Sequence, residues 1–328
     1  FAPITYALTV SKAGTGSGVT SSGGSYAAGA MLNLTATPNA GSIFVGWSPS
    51  PCATSFAMPA SNLTCTATFN QSNQTLGSAV GVFRNGQWYL DAHGNGAWDG
   101  CGVEFCLISF GQAGDLPVSG NWNGGTKLSI GVFRNGQWVL DTDGNGQWDG
   151  CSIDSCNSSF GQGGDQPVAG DWNGDGKAKI GVFRNGQWIL DSNGNGAWDG
   201  CGTDLCLSFG QAGDIPIAGK WNGGLKAGVG VFRAGTWYLD YNGNGIWDGC
   251  EQDGGADQCL YGSFGQGGDL PVAGDWNGDG KAKVGVFRNG IWYLDHNGNG
   301  EWDGCSVDRC YFDNFGQAGD WPVAGKWQ

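Results

Sequence analysis

A repeat of about 50 residues constrains this chain more than any other feature. The triplet Val-Phe-Arg begins at Val82, Val132, Val182, Val231 and Val286, at intervals of 50, 50, 49 and 55 residues. Such a period is typical of arrays in which each repeat is one supersecondary unit that buries its apolar face against its neighbours. The 328-residue chain therefore has room for one large repeat domain and a smaller N-terminal domain.

Each repeat predicts about four short β-strands. The second copy runs through GVFR, the turn signal NG, QWVLD, a polar loop, FGQ and PVAGDW. Apolar and polar residues alternate in the short segments between such turn signals, which is the pattern of β-strands, and Asn-Gly is a strong hairpin signal. Four-stranded units of this length are typical of propeller blades.

The two ends of the repeat region predict how the array closes. The first copy lacks the strand that precedes Val-Phe-Arg in the others, and the last copy stops at PVAGKWQ, where the next copy would begin. The segment from Trp321 to Trp327 is therefore expected to pair beside Ala79 to Arg84, which would remove open sheet edges. An open solenoid or a string of β-sandwiches is the alternative, but neither gives a reason to divide one repeat between both ends.

The sequence thus predicts an all-β chain made of a five-bladed β-propeller, closed by its N- and C-terminal strands, plus a small N-terminal β-domain. The expected divisions are the small domain at 1–70, a polar linker at 71–78 and the propeller at 79–328.

A polar loop follows the second strand of every repeat and has the oxygen spacing of a calcium loop. Side chains with oxygen or nitrogen donors stand at loop positions one, three, five and nine, with Gly at six, and an acidic residue follows 13 positions after the first Asp. Alternate side chains of this kind converge on a hard cation in EF-hand-type loops. Asp, Asn and Gly are also ordinary turn residues, but five loops in register favour calcium, about five ions in all. The candidate ligands are Asp91, His93, Asn95, Asp99, Glu104, Asp141, Asp143, Asn145, Asp149, Asp154, Asp191, Asn193, Asn195, Asp199, Asp204, Asp240, Asn242, Asn244, Asp248, Asp253, Asp295, Asn297, Asn299, Asp303 and Asp308.

A second loop, DWNGDGK, occurs in two repeats and raises the expected number of calcium ions to as many as seven. It resembles the calcium loops of FG-GAP/VCBS-like extracellular propeller repeats, although Lys179 or Lys283 stands where that family has a later Asp. The ligands that the resemblance implies are Asp171, Asn173, Asp175, Asp275, Asn277 and Asp279.

The 12 cysteines fall into six pairs, one in each repeat and one in the N-terminal domain. Pairing within each repeat is the simplest connectivity, and the absence of a His beside each pair argues against zinc. The predicted disulfides place the protein outside the reducing cytoplasm, as a secreted or cell-surface protein; the start at Phe1 rather than Met fits an exported mature chain. The predicted pairs are Cys52 with Cys65, Cys101 with Cys106, Cys151 with Cys156, Cys201 with Cys206, Cys250 with Cys259, and Cys305 with Cys310.

The N-terminal segment resembles a bacterial repeat module related to internalin B-repeats. The resemblance rests on LTVSKAGTGSG, LTATPNAGSIFVGWS and the final TATF. It implies a small β-domain that acts as a spacer or assembly unit without enzymatic activity. The apolar stretch Phe1 to Ile4 could add to a neighbour's sheet edge and so build fibres or arrays; a disordered tail is the alternative.

Composition narrows the functional classes further. The net charge of −14 argues against nucleic acid and anionic membranes as partners, and no apolar run is long enough to span a membrane. Nearly every acid recurs in all repeats in a metal-loop position, so no single site differs from its copies as a glycosidase site would, and we expect no enzyme. The sequence favours a calcium-stabilised structural or adhesive surface protein, including a fibre or array subunit, that binds itself or a surface or matrix partner. The alternative is a multivalent carbohydrate-binding protein that stacks glycans on some of its 17 Trp residues.

Overall fold

The computed structural model describes residues 3–14, 17–39, 42–71, 77–125, 127–312 and 315–327, without the side chains of residues 43, 70, 71 and 252. The chain forms two compact units, Phe1–Thr75 and Leu76–Gln328, here called unit 1 and unit 2. The predicted linker at 71–78 falls largely on residues 72–76, which lie outside the described ranges, as do the first two residues of the predicted apolar extension at Phe1 to Ile4.

Unit 1 is built from short strands around one four-stranded sheet. The sheet has the order β3-β1-β8-β6, in which β1 and β8 are parallel, and two-stranded sheets β2-β5 and β4-β7 complete the unit. Its strands are β1 (Thr5–Ala13), β2 (Gly18–Thr20), β3 (Gly24–Ala27), β4 (Met31–Asn33), β5 (Ala36–Pro38), β6 (Ser42–Ser48), β7 (Ser55–Ala57) and β8 (Leu63–Gln71).

The core of unit 1 lies around the disulfide between Cys52 and Cys65. Leu8, Leu32 and Phe56 pack there with both cysteines. Alternate side chains on these strands point to opposite faces, so the apolar residues at every second position meet in one small core.

Unit 2 contains five four-stranded antiparallel sheets, one for each repeat. Each sheet has its strands in chain order, except that the first sheet has the order β11-β10-β9-β28. The strands are β9 (Ala79–Arg84), β10 (Gln87–Leu90), β11 (Phe105–Leu107), β12 (Leu116–Gly120), β13 (Ser129–Arg134), β14 (Gln137–Leu140), β15 (Ser155–Asn157), β16 (Gln166–Gly170), β17 (Lys179–Arg184), β18 (Gln187–Leu190), β19 (Leu205–Ser208), β20 (Ile215–Gly219), β21 (Gly228–Arg233), β22 (Thr236–Leu239), β23 (Gln258–Tyr261), β24 (Leu270–Gly274), β25 (Lys283–Arg288), β26 (Ile291–Leu294), β27 (Arg309–Tyr311) and β28 (Trp321–Gly325). A single 3-10 turn, Glu251–Asp253, interrupts the described strands.

The prediction of an all-β chain is confirmed, but the predicted closed five-bladed β-propeller is wrong. The strands form separate sheets of two to four strands, and none of these sheets is closed or curled into a barrel or propeller. The reason lies in the hydrogen bonding: each ladder in unit 2 ends after four strands, and among the described residues the isolated bridges, Ser208 with Ile246 and Cys250 with Asp257, add no further strand to any of them. β28 does pair antiparallel with β9, so the first sheet takes strands from both ends of unit 2.

Local sequence explains the central hairpin of each sheet. Asn85 and Gly86 join β9 to β10 with φ values of 49° and 89°, which is the positive-φ geometry of a two-residue hairpin turn. The Gly of each Gly-Val-Phe-Arg segment makes room for a neighbour, since a Cβ at Gly181 would lie 2.6 Å from Cδ2 of Leu190. The compact hairpin therefore depends on the glycine of the turn and on the glycine of the Gly-Val-Phe-Arg segment.

A fully buried Trp fills the centre of every repeat. Trp188 has no exposed surface, packs against Phe183 with ring centroids 5.2 Å apart, and donates from Nε1 to the carbonyl of Phe209 at 2.8 Å. Large rings with a satisfied N–H supply most of the apolar area that such small sheets can bury. The equivalent Trp residues are Trp88, Trp138, Trp237 and Trp292.

An Arg–Asp pair at one end of the hairpin recurs in all five sheets. Arg84 at the end of β9 binds Asp320, just before β28, through two hydrogen bonds of 2.6 Å. The Asp320 side chain is 1% exposed, whereas that of Arg84 is 30% exposed. This pair links both ends of unit 2, and the same two-point contact joins Arg134 with Asp115, Arg184 with Asp165, Arg233 with Asp214, and Arg288 with Asp269.

We predict that Arg84→Gln lowers the free energy of unfolding by about 2 kcal/mol, because Asp320 stays buried without its cation while water partly screens the exposed Arg side. Chemical denaturation of the whole chain measures this, with Lys226→Gln on the exposed surface as the charge-matched control. The double variant Arg84→Gln/Asp320→Asn should lose less free energy of unfolding than the two single variants lose together. Full additivity of the two losses would contradict a direct pair.

Candidate metal centre

The loop after the second strand of each sheet is organised by its first aspartate. In the loop after β14, Asp141 is buried, and its Oδ1 accepts hydrogen bonds from the backbone N–H groups of Gly144 and Asn145 at 2.8 and 3.2 Å. Its Oδ2 accepts from Gly146 N–H at 2.9 Å. The carboxylate therefore winds the following residues into a tight turn around itself.

The same turn forms in all five loops. The glycine at the sixth position donates its N–H to the first aspartate in every one, at 2.7–2.9 Å. The five aspartates are Asp91, Asp141, Asp191, Asp240 and Asp295, and all of them are buried.

The third, fifth and ninth positions place further oxygens on the open side of the turn. Asn145 Nδ2 lies 3.0 Å from Asp143 Oδ2 and 2.5 Å from Asp149 Oδ2. Asn195 makes the same contact with Asp199 at 2.6 Å in the next repeat. These amide-to-carboxylate contacts draw the candidate ligands together.

A second buried acid closes the site. Asp154 lies on a turn inside the loop that the disulfide between Cys151 and Cys156 encloses, and its N–H donates to Gly150 at 2.9 Å. Its carboxylate accepts from the N–H groups of Thr142 at 3.3 Å and Asp149 at 2.9 Å. Oxygens of Asp141, Asp143 and Asp154 all lie within 4.8 Å of one another, a grouping that could hold a metal ion. Glu104, Asp204 and Asp308 occupy the same place in their repeats.

In the fourth repeat the acid that reaches the loop is Asp257, and the structure does not bring the predicted ligand Asp253 to it. Asp253 is exposed and lies in the short 3-10 turn, whereas Asp257 has no exposed surface and accepts the N–H of Asp248 at 2.8 Å. The cause is the longer excursion between Cys250 and Cys259, which are nine residues apart in sequence instead of five. Counting 13 positions from the first Asp therefore ends before the acid that returns to the loop.

Two of the second acids have an oxygen that the described protein groups do not satisfy. Glu104 Oε1 and Asp257 Oδ1 are both buried and have no hydrogen-bond partner within the described ranges. His93 Nδ1 lies 3.6 Å from Glu104 Oε1, beyond hydrogen-bond distance. A buried carboxylate oxygen without a partner is costly, so these residues fit a bound cation.

The electrostatics of the loops agree with this fit. Burial, followed by the hydrogen-bond and charge contacts with Asp143 and Asp154, raises the pKa of Asp141 to about 6. Burial first and then the charge of the second acid also raise the pKa of Asp191, Asp240 and Asp295. Two carboxylates face each other in each of these loops, and a cation between them would favour the ionised forms.

The DWNGDGK loops have a different occupant. Asp171 accepts the N–H groups of Gly174, Asp175 and Gly176 at 2.8–3.1 Å, which is the turn described above. The buried ammonium of Lys179, however, lies 2.7 Å from both Asn173 Oδ1 and Asp175 Oδ1. Lys283 takes the equivalent place beside Asp279, at 2.6 Å, in the loop of Asp275 and Asn277.

Residues 6–73 match the model of the divergent InlB B-repeat domain. This confirms the resemblance of the N-terminal segment to the internalin B-repeat module. No curated protein matches the chain. The resemblance of the repeats to FG-GAP/VCBS-like repeats is not shown by these comparisons.

All 12 cysteines are paired in six disulfides, with the partners that the sequence predicts. This number of disulfides indicates an oxidising environment. Within the described ranges, no helix is long and apolar enough to cross a membrane.

We predict that Asp257→Asn removes or strongly weakens one calcium site, whereas Asp253→Asn leaves the number of sites unchanged. The two substitutions remove the same charge from the same excursion, but only Asp257 contacts the loop. Calorimetric titration of calcium into the chelator-treated protein measures the number of sites. Loss of a site in the Asp253 variant alone would contradict the assignment.

We also predict that the stabilisation by calcium grows as the pH rises from 4 to 7. A carboxylate whose pKa is raised by folding stabilises the native state below its unfolded pKa, near 3.8, and this contribution is lost as the pH passes through the folded pKa, about 6 for Asp141. Without calcium, the five loops should therefore lose stability over this range, and with calcium they should not.

Melting temperatures in EDTA and in calcium, recorded at each pH, test this prediction. The ninth-position carboxylates Asp199 and Asp248 do not contribute to this change, because hydrogen bonds from neighbouring Asn side chains lower their pKa values. A gap between the two curves that stays constant with pH would contradict the proposed carboxylate pairs.

Proposed function

We propose that this chain is a calcium-stabilised structural or adhesive protein that works outside the cytoplasm. The observation that carries the proposal is the fivefold recurrence of one loop in which two buried carboxylates share a turn with amide and carboxylate oxygens. Each loop would hold one ion, which predicts about five.

Calcium is the cation that best suits these donors. The first, third, fifth and ninth positions and the second acid offer oxygen ligands in four of the five loops, and His93 is the single exception, in the first loop. Hard cations with flexible oxygen coordination, of which calcium is the common extracellular example, prefer such a set. Bound calcium would neutralise the facing carboxylates and satisfy the free oxygens of Glu104 and Asp257.

The position of the loops explains why an ion would stabilise the whole of unit 2. A Cβ at Gly146, in the second repeat, would lie 2.8 Å from Cδ2 of Leu107 in β11, which belongs to the first sheet. Trp148 of the same loop packs edge-on against Phe110, with ring centroids 6.2 Å apart. An ion that orders the loop therefore also orders a contact between two sheets.

A surface or matrix location is supported by two independent features. Six disulfides suit an oxidising compartment, and residues 6–73 match the divergent InlB B-repeat domain, which suits a spacer or assembly unit. The near identity of the five loops favours a role that all of them share over a reaction at one of them. We therefore propose no enzymatic activity.

Carbohydrate binding is the second candidate, and one observation favours it. The Trp at the eighth loop position is 41–44% exposed in all five repeats, although the central Trp of each hairpin is fully buried. Exposed Trp beside Asn and Asp suits the stacking and hydrogen bonding of sugars, and five copies would add avidity. The five residues are Trp98, Trp148, Trp198, Trp247 and Trp302.

We predict that chelation of calcium lowers the melting temperature of the purified protein and that added calcium restores it. For one site, free calcium at 100 times its dissociation constant stabilises the fold by about 2.7 kcal/mol, so five sites give a large shift. Scanning calorimetry in EDTA, with calcium-saturated EDTA as the control, measures the effect. An unchanged melting temperature would overturn the calcium proposal.

Electron microscopy of the same samples separates the two candidate functions. Regular fibres or sheets that loosen in EDTA would support a structural role. Single particles in both conditions would count against assembly and favour carbohydrate binding, which a glycan array would then test.

A further inference from the structure

Two loops of unit 2 copy the geometry of the candidate calcium loops but lie elsewhere in their sheets. The first begins at Asp171, between β16 and β17, and the second begins at Asp275, between β24 and β25. In both, the first aspartate accepts the N–H groups of the fifth and sixth loop residues. The backbone is therefore folded as a cation loop.

A lysine from the following strand points into each of these loops. Lys179 Nζ lies 2.7 Å from Asn173 Oδ1 and Asp175 Oδ1, 3.0 Å from the carbonyl oxygen of Lys177, and 3.8 Å from Asp171 Oδ1. These oxygens belong to loop positions three, five, seven and one. An EF-hand-type loop offers its cation the same four positions, the seventh through its backbone carbonyl.

The second loop repeats this arrangement. Lys283 Nζ lies 2.6 Å from Asp279 Oδ1, 3.1 Å from the carbonyl oxygen of Lys281, and 3.6 Å from Asp275 Oδ1. The side chains of Lys179 and Lys283 are both only 5% exposed. An ammonium group is this deeply buried in proteins only where oxygen partners replace its water.

The other three repeats provide an internal comparison. Ala79, Ser129 and Gly228 hold the strand position of the two lysines, directly opposite the last residue of the strand paired with it. Where the corresponding loop is complete in those repeats, its fifth position is Gly125 or Gly224 instead of an aspartate. Lysine on the strand and aspartate at the first and fifth loop positions therefore occur together in this chain.

We propose that Lys179 and Lys283 are the resident cations of these two loops, so that each loop is filled by an ammonium group of its own chain and takes no calcium. The protein then combines two kinds of loop, five that need an exchangeable ion and two that do not. The expected number of ions is five and not seven. This number rests on the proposed calcium function, but the place of the two ammonium groups does not.

The decisive experiment counts calcium ions in the wild type and in Lys179→Glu by native mass spectrometry and calorimetric titration. The substitution removes the ammonium group and supplies a carboxylate that can reach toward the vacated position. We expect one ion more than in the wild type. Lys177→Glu changes the charge equally on an exposed side chain of the same loop, keeps the backbone carbonyl, and should not add an ion.

The outcomes separate this inference from the proposed function. Seven ions in the wild type would overturn the inference and leave the calcium proposal standing. No ions in the wild type and one in Lys179→Glu would overturn the calcium proposal and leave the inference standing. No additional ion in a folded Lys179→Glu variant would overturn the inference.

A measurement on the unmodified protein covers the case in which Lys179→Glu does not fold. Reductive methylation, followed by peptide mass spectrometry, should modify Lys177 and Lys281 readily and spare Lys179 and Lys283, to the same extent in EDTA and in calcium. Faster methylation of Lys179 and Lys283 in calcium would show that the metal displaces the ammonium groups, and would overturn the inference.

Discussion

Buried carboxylates organise every repeat of unit 2, and the rest of the structure depends on how their charge is balanced. Each repeat buries at least three acids: one that pairs with the Arg of Val-Phe-Arg, and two that face each other in the loop after the second strand. The first of these has a cation supplied by the chain. The two loop acids are held mainly by backbone N–H groups and face each other, and among the described residues neither has a two-point arginine partner of the kind that balances the first acid.

Direct contacts link the loop to the disulfide and to the neighbouring repeat. The disulfide between Cys151 and Cys156 encloses the turn that carries Asp154, and Asp154 accepts the N–H of Asp149 in the loop. Trp148, next to Asp149, packs against Phe110, which follows β11 of the first sheet. A bridge over so few residues restricts the unfolded chain little, so its main effect is to hold the second acid where the loop needs it.

Much of this architecture could be predicted from the sequence because it is local. Asn85 and Gly86 specify their hairpin through φ preferences that need no distant partner, and loop positions one to nine are contiguous. The acid of the fourth repeat could not be placed by counting, because the longer Cys250–Cys259 excursion carries Asp257 back by a route that depends on its own turn. Hydrogen bonds between distant strands decide whether the sheets close on one another. The divided repeat correctly predicted that β28 pairs with β9, but the closed propeller inferred from it is wrong.

The Arg–Asp pairs also follow from the sequence repeat. Arg84 and Asp320 lie 236 residues apart, but within the other repeats the two partners are 19 residues apart, as in Arg134 with Asp115. Both residues recur in all five copies, Asp before the first strand and Arg at the end of the second. In an antiparallel pair, those two positions lie at the same end of the hairpin, so the contact follows from the repeat and the strand order together.

The lysines of the third and fifth sheets show what the chain gains by leaving five loops without a cation of their own. An ammonium group on the strand fixes a loop permanently, since it is covalently attached and its carboxylate partner Asp175 has its pKa lowered to about 2, chiefly by the hydrogen bond from Lys179. A metal ion gives the same closure only while its concentration is high enough. Both kinds of loop touch a neighbouring repeat: Lys220 Nζ lies 3.5 Å from Asp171 Oδ2, and the loop of Trp148 brings Gly146 against Leu107 of β11. An exchangeable cation in the five loops would therefore lie where one repeat meets the next, so calcium would act on the cohesion of unit 2 as well as on the loop that binds it.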